Sequence, residues 1–238
     1  MFADIEKSSE LNAAQGLTTL DVSLGYATTM NTYNVSPDRV EEVLEYLIRS
    51  AKSVVRHQPG FVSFNFHVSA DRSQIVNYGQ WRSMDVLAGM RQNPAITILM
   101  KETTEVAGPS APTPFNLVGI FKSRSASDEG ITKLIPNNGQ LTLINTYTVK
   151  PERADELIEF LSRSSQQTLR YVPGFISANL HLSLDRTKVV NYAQWVDAEA
   201  TAAARQDAKI GELMRQQLQI AESFTPLPFS LRSSIPAA

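Results

Sequence analysis

From Phe61 to Ser69 apolar and polar residues alternate one by one: Val62, Phe64, Phe66 and Val68 fall on one face, Ser63, Asn65, His67 and Ser69 on the other. That period of two predicts a strand with one greasy side. Ahead of it, Val40, Val43, Leu44, Leu47, Ala51, Val54 and Val55 recur at helical spacing, with Glu41, Glu42, Glu45, Arg49 and Lys52 mostly off the stripe. A helix with one buried face is predicted there, with Ser36 as its cap and Pro37 at its first position. Ala27 to Val35, rich in Thr, Tyr and Val, predicts a strand before that helix. After the alternating strand come a turn from Ala70 to Gln74, a return strand from Ile75 to Trp81, and a helical stretch from Met84 to about Glu105 that breaks near Asn93-Pro94. A last strand runs from Phe115 to Lys122. The order is β-α-β-β-α-β, the split arrangement of a ferredoxin-like fold.

The same pattern then occurs again. Val76-Asn77-Tyr78-Gly79-Gln80-Trp81 returns as Val190-Asn191-Tyr192-Ala193-Gln194-Trp195, Pro59-Gly60-Phe61 as Pro173-Gly174-Phe175, His67 as His181 and Asp71-Arg72 as Asp185-Arg186, always 114 residues on (195 − 81 = 114). No gap is needed from Asn31/Asn145 to Phe115/Phe229. A repeat of this length is the size of a small domain, so the chain is read as a tandem duplication. The second copy predicts strands at Leu141–Val149, Phe175–Ser183, Lys188–Trp195 and Phe229–Ile235, with helices at Pro151–Tyr171 and from Asp197 to about Glu222. The domains are placed at 1–123, with an N-terminal extension up to about Gly25, and at 124–238, which begins with a linker of Ser, Gly, Asn and Pro between Ser123 and Gln140.

A sheet with helices on one face needs a cover on the other, and the second copy is the available cover. The predicted fold class is therefore α+β: two ferredoxin-like repeats forming a dimeric α+β barrel within one chain, a monomeric pseudo-dimer. Association into a further homodimer is left open.

Composition narrows the function. In 238 residues the formal net charge is −2 and cysteine is absent, so neither a basic nucleic-acid surface nor a thiolate nucleophile is expected. No apolar run reaches bilayer length, and the expectation is a cytoplasmic protein without a membrane partner. Three histidines and no carboxylate pair at ligand spacing give no expected metal site. A nucleophile elbow and a Gly-rich phosphate loop are both missing. Chemistry-bearing residues nevertheless recur: Asn65 and His67 with Asn179 and His181 on the polar face of one strand, and Asn77 and Trp81 with Asn191 and Trp195 on the next. Whether the two sets converge depends on the hairpin. A three-residue loop would bring His67 and Asn77 to one face; a four-residue loop would separate them. If they converge, each unit has an imidazole, amides and an indole around a pocket floored by Gly79 or Ala193, suited to a flat aromatic ligand. The competing reading is a packed tryptophan and a satisfied strand histidine.

Val172-Pro173-Gly174-Phe175, His181, Asp185 and Val190-Asn191-Tyr192-Ala193-Gln194-Trp195 together resemble the antibiotic biosynthesis monooxygenase family, most closely its quinone-forming members from aromatic polyketide pathways. The resemblance implies oxidation of a phenolic or anthrone-type polyketide by O2 as co-substrate, with no metal and no tightly held prosthetic group. It assigns activity to Asn77, Trp81, Asn191 and Trp195, maps the family's strand histidine onto His67 and His181, and maps a helix arginine onto Arg215, replaced by Lys101 in the first unit. Because Arg offers a planar fork to an oxyanion and Lys does not, the Asn191/Trp195 pocket is expected to carry more of the turnover. A family tyrosine after the tryptophan has no match, since Leu87 and Thr201 stand there. Heme-degrading relatives share an asparagine matched by Asn31 and Asn145, which join Asn65 and Asn179 as expected substrate contacts. Their axial histidine falls near Met100 and Met214. Duplicated relatives that open polyketide rings with reduced flavin, cyclases and a non-catalytic ligand-binding barrel are the alternatives.

Overall fold

The computed structural model describes residues 18–90, 92–127 and 130–238; most of the expected N-terminal extension lies outside them. A short strand β1 (Thr18–Asp21) precedes the first repeat, which consists of β2 (Ala27–Asn34), α1 (Val40–Ser53), β3 (Phe61–Ser69), β4 (Gln74–Trp81), α2 (Met84–Met90), α3 (Pro94–Ala107) and β5 (Thr113–Lys122). After β6 (Ile131–Leu134) the second repeat follows as β7 (Leu141–Thr148), α4 (Ala154–Gln167), β8 (Phe175–Ser183), β9 (Lys188–Trp195), α5 (Ala198–Gln206), α6 (Ala208–Ile220) and β10 (Ser223–Pro236). Among the described residues no helix is long and apolar enough to cross a membrane.

Local sequence explains most boundaries. The α1 stripe Val40, Val43, Leu44, Leu47 and Ala51 is buried as its spacing requires. The break before α3 is made by Asn93, whose side chain accepts from the Ala95 N–H with Pro94 at the first position. Two boundaries differ from expectation. Ser36 does not cap α1; residues 37–39 form a turn closed by Arg39 N–H to Ser36 O, and the helix starts at Val40. Strand β10 starts at Ser223 rather than Phe229 despite Pro226 and Pro228. Its first half pairs only with β7 and its second half only with β3, so a missing N–H can face the unpaired side.

Eight strands close into one barrel in the order β10-β3-β4-β2-β5-β8-β9-β7. Closure comes from the last strand of each repeat crossing to the other: β5 pairs with β8, and β10 with β3. The halves thus share strands as well as a core. Met30, Val76, Tyr78 and Phe115 from one half meet Ile144, Val190, Tyr192 and Phe229 from the other in a single interior cluster. The stretch read as linker contributes too. Ile131–Leu134 pairs antiparallel with Thr18–Asp21, and this ribbon sends Leu20 and Leu134, both fully buried, into the interior cluster. Gln80 and Gln194 hold it by donating to Thr19 O (3.2 Å) and Lys133 O (3.1 Å).

The barrel interior also contains both strand histidines. His67 Nδ1 lies 3.1 Å from the Asn65 carbonyl, which can only accept, so Nδ1 carries the proton and Nε2 accepts from the Tyr192 hydroxyl at 2.8 Å. The pseudo-symmetric set is His181 Nδ1 to Asn179 O at 3.0 Å and Tyr78 OH to His181 Nε2 at 2.8 Å. Each imidazole is held by the opposite half. Burial pushes both imidazoles down to about 4, against hydrogen bonds that act the other way, and pushes the Tyr78 and Tyr192 phenols up.

A histidine kept neutral when folded but protonated below pH 6.5 when unfolded contributes stability above that pH and loses it as the pH falls toward 4. Hydrogen bonds hold Glu41, Glu42, Asp71 and Asp185 below their ordinary values, so the window from pH 7.5 to 5 is assigned to the two buried imidazoles. We expect unfolding free energy from urea titration to fall there by roughly 2 kcal/mol per imidazole. A flat profile down to pH 5 would show that the imidazoles are hydrated or already charged.

Candidate functional site

The hairpin between β3 and β4 has a four-residue connection, Ala70 to Ser73, with Arg72 in the left-handed region at φ 60° and Asp71 accepting from Ser69 and Ser73. Arg186 repeats this conformation in the second half. The resulting register sets His67 opposite Val76 and Phe66 opposite Asn77. His67 therefore faces the barrel interior, whereas Asn77 faces the helices. Of the two outcomes the sequence left open, the four-residue loop gives the one in which histidine does not converge with asparagine and tryptophan, in either half, because one residue of hairpin length decides the face.

On the helix side lie two cavities, one per half, of about 140 Å3 and about 100 Å3. In the first, Asn31 and Asn77 are directly opposite each other on β2 and β4, with Tyr33 on one side of them, Thr29 and Gly79 on the other, and Trp81 beyond. In the second the opposed amides are Asn145 and Asn191, with Tyr147, Leu143, Ala193 and Trp195 in the matching places. Helices α1 to α3 roof the first cavity and α4 to α6 the second. Arg39 anchors one roof by donating to Val106 O at the end of α3, and Arg153 anchors the other through Gln219 O and Ile220 O.

These walls are apolar apart from a few polar atoms, and several of those have no hydrogen-bond partner. In the first cavity they are Asn31 Oδ1, Asn77 Oδ1 and Trp81 Nε1; in the second, Asn191 Oδ1 and Trp195 Nε1. Buried groups of this kind are nearly always satisfied, and leaving one unpaired costs about 1–3 kcal/mol. They recur in both halves, each time facing a cavity, as atoms that could bond a polar group placed there.

The other predicted residues stand elsewhere. Asn65 Oδ1 accepts from Thr18 Oγ1 (2.5 Å) and Ser234 Oγ (2.8 Å), and Asn179 Nδ2 donates to Tyr192 O (2.8 Å). With His67 and His181 they belong to the barrel interior and do not line either cavity. Lys101 and Arg215 also line neither. Met214 and Gln217 occupy the inward face of α6, which turns Arg215 outward, where it is 71% exposed and paired with Glu212. The cation lining the second cavity is Arg205; its repeat counterpart Arg91 lies outside the described residues. Tyr33 and Tyr147 were also missed, although Asn31-Thr32-Tyr33 recurs as Asn145-Thr146-Tyr147 and was a legible signal.

Both cavities have aromatic walls, but the rings packed on the two tryptophans differ. Phe61 and Phe64 pack edge-on to the Trp81 ring at 5.3 and 6.0 Å, and Phe64 to Phe66 at 6.0 Å, whereas Trp195 has Phe175 alone at 5.4 Å. Phe61 joins this wall through a bulge between Phe61 and Ser63, which breaks the strict alternation the sequence predicted. Across from Phe64 stands Gly79, and across from Ala178 stands Ala193. The large-small pair of one half replaces a medium-medium pair of the other. No cluster of three or more His, Asp or Glu suited to a metal ion occurs among the described residues.

Residues 27–101 and 140–216 each match the antibiotic biosynthesis monooxygenase family. A stretch of 80 residues, 34% of this chain and 71% of the relative, is 36% identical to tetracenomycin-F1 monooxygenase of Streptomyces glaucescens. Among solved structures, an anthrone oxidase-like protein superposes with a TM-score of 0.81 at 17% identity, over 93% of this chain and 97% of that one. A major regulator of staphylococcal pathogenesis superposes with a TM-score of 0.53 at 12% identity, over 86% of this chain and 98% of that one. Likeness at this level of identity shows the shared barrel alone.

The Phe64–Gly79 pair can be tested for coupling. A Cβ on Gly79 would lie 2.7 Å from Thr29 Oγ1 and 2.8 Å from the Phe64 ring, so Gly79→Ala should destabilise by about 1–3 kcal/mol. In a Phe64→Ala background, which relieves the ring contact but leaves the one to Thr29, Gly79→Ala should cost less than it does in the wild type, as a double-mutant cycle of urea midpoints will show. Simple additivity would show that the two residues do not share space.

Proposed function

Because the chain belongs to the antibiotic biosynthesis monooxygenase family, we propose that this monooxygenase oxidises a flat, electron-rich phenol of the anthrone type with O2 to a quinone, using no bound cofactor. The observation that carries the reading is the set of unpartnered atoms in an otherwise apolar, aromatic-walled cavity. Trp81 Nε1 is a donor in search of an acceptor, and the Asn31 and Asn77 oxygens are acceptors in search of donors. A polyhydroxylated aromatic ketone offers both. The name of the Streptomyces relative points to the same substrate class.

The reaction needs little from the protein beyond placement and charge stabilisation. Loss of one C–H proton converts the anthrone to a delocalised anion whose negative charge rests largely on oxygen, and the Trp81 N–H is positioned to hold that charge away from bulk water. The anion passes one electron to O2. Recombination of the two radicals forms the C–O bond of a peroxide, which takes up a proton. Loss of the remaining C–H proton with cleavage of O–O then releases water and leaves the carbonyl. One oxygen atom ends in the quinone, the other in water, and the substrate supplies every electron.

Among the described residues the first cavity is lined by no Asp, Glu, Lys, Arg or His. Burial raises the Tyr33 phenol above its ordinary value, so it stays protonated near neutrality. Both interior histidines sit behind the sheet. The first proton therefore leaves to water, and the enzyme acts by making the anion easier to form.

Oxygen uptake with 1,8-dihydroxyanthrone, corrected for autoxidation, tests this directly. Trp81→Phe should lower kcat about a hundredfold while leaving thermal unfolding nearly unchanged, as expected for one preorganised donor to a developing oxyanion. The kcat/KM profile should climb with the substrate's own ionisation and show no inflection from an enzyme base near neutral pH. Turnover by Trp81→Phe at the wild-type rate would remove the indole from the chemistry. Uptake that appears only when reduced flavin is supplied would favour the flavin-dependent ring-opening reaction instead.

A further inference from the structure

The two cavities are related by duplication but finished differently at one position. In the second half β10 runs along β7 from its first residue, pairing Ser223 with Thr148, Phe224 with Tyr147 and Pro226 with Asn145. In the first half the matching ladder between β5 and β2 covers only Ala27 to Met30, so among the described residues the stretch from Asn31 to Asn34 has no strand partner on that side. The cause is local. Gly108 ends α3 with its N–H on Thr104 O and φ at 80°, and Pro109 follows, so the chain turns away instead of extending along β2.

This difference places Phe224 where the first half has Ser110 (224 − 110 = 114). The Phe224 ring lies on the Tyr147 ring at 4.7 Å and 21°, a stacked pair. The Tyr147 hydroxyl is also engaged, donating to Gln217 Oε1 at 2.9 Å, whereas Thr103 holds that position in the first half. Tyr33 is also buried, but among the described residues no ring stacks on it. Its hydroxyl accepts from Asn31 Nδ2 at 2.8 Å, and Ser110 is the side chain beside it. The second cavity thus has the face of its tyrosine covered by a ring of its own chain that forms part of its wall, and it is the smaller of the two.

Resting on the reaction proposed above, we propose that only the first cavity takes the aromatic substrate, which stacks on Tyr33 where Phe224 stacks on Tyr147, and that residues 110 and 224 decide which cavity is open. Ser110 leaves a way in beside the free edge of β2. Phe224 closes the second cavity, so Asn191 and Trp195 keep the ligand-ready atoms of their ancestor without access to a ligand. This reverses the division of labour implied by Arg215, a residue that reaches neither cavity.

The chain has two tryptophans, one per cavity, so their indole N–H resonances report the sites separately. They are assigned with Trp81→Phe and Trp195→Phe, and the probe is 1,8-dihydroxyanthraquinone, which is not oxidised further. In the wild type one equivalent should bind and only the Trp81 resonance should move. Phe224→Ser should add a second equivalent and bring the Trp195 resonance into play. Ser110→Phe, in a loop that carries no ladder, should weaken binding at Trp81 by roughly tenfold or more, and it keeps the test valid if Phe224→Ser does not fold. A wild-type shift at Trp195, no shift at either indole, or a folded Phe224→Ser that still binds one equivalent overturns the proposal. Loss of oxygen uptake alongside an intact Trp81 shift would overturn the reaction and leave this assignment standing.

Discussion

The rest of the structure depends on a requirement that neither half can meet alone: each strand histidine, fully buried, needs a partner for its second nitrogen. The partner is a tyrosine of the other half, Tyr192 for His67 and Tyr78 for His181. Left unmade, such a bond would strand a buried acceptor at a cost comparable to a tenth or more of a domain's stability. With both bonds made and β5 and β10 exchanged, the polar face of each sheet becomes barrel interior, and the only face left for helices is the outside.

Closure in turn determines where chemistry can occur. The interior is a packed aromatic and imidazole core plugged by the ribbon of β1 and β6. Residues that alternate to the outside, Asn31, Asn77 and Trp81 with their counterparts Asn145, Asn191 and Trp195, lie under helices that do not fill the space above them. A cavity between a rigid sheet and a helical roof gives fixed donors and an apolar wall. Those are the properties that the proposed reaction asks of its site, fixed donors to an anion held away from water. The depressed histidines, which would be the obvious acid-base candidates in a cleft, act here as neutral structural links between halves.

Duplication within one chain frees the two sites to diverge. In a symmetric dimer of identical subunits a substitution that closes one pocket closes both. Here Phe224 stacks on Tyr147 while Ser110 stands beside Tyr33, and Phe64 crowds Gly79 while Ala178 sits by Ala193. These exchanges are compensated within each half, so the barrel tolerates them and the cavities do not remain equivalent.

Much of this was legible in the residues. The 114-residue period, the helical stripe of Val40 to Ala51 and the two-residue alternation of Phe61 to Ser69 specify the repeated β-α-β-β-α-β order, because secondary-structure periods are local properties of the chain. The recurring Asn and Trp of β4 and β9 identified the cavity walls, and the recurring Asn31 and Tyr33 were available to complete them. What the sequence left open was the face: with side chains alternating every residue, the difference between a three- and a four-residue hairpin moves His67 from the cavity side of the sheet to the barrel interior. Long-range pairing decided the remainder. Thr18–Asp21 and Ile131–Leu134 look like extension and linker until they find each other. Arg215 looks like an anion ligand until Met214 and Gln217 take the inward face of its helix. Phe224 is one more aromatic residue until β10 pairs with β7 and lays it on Tyr147. Each of these depends on contacts between residues far apart in sequence, which local pattern does not encode.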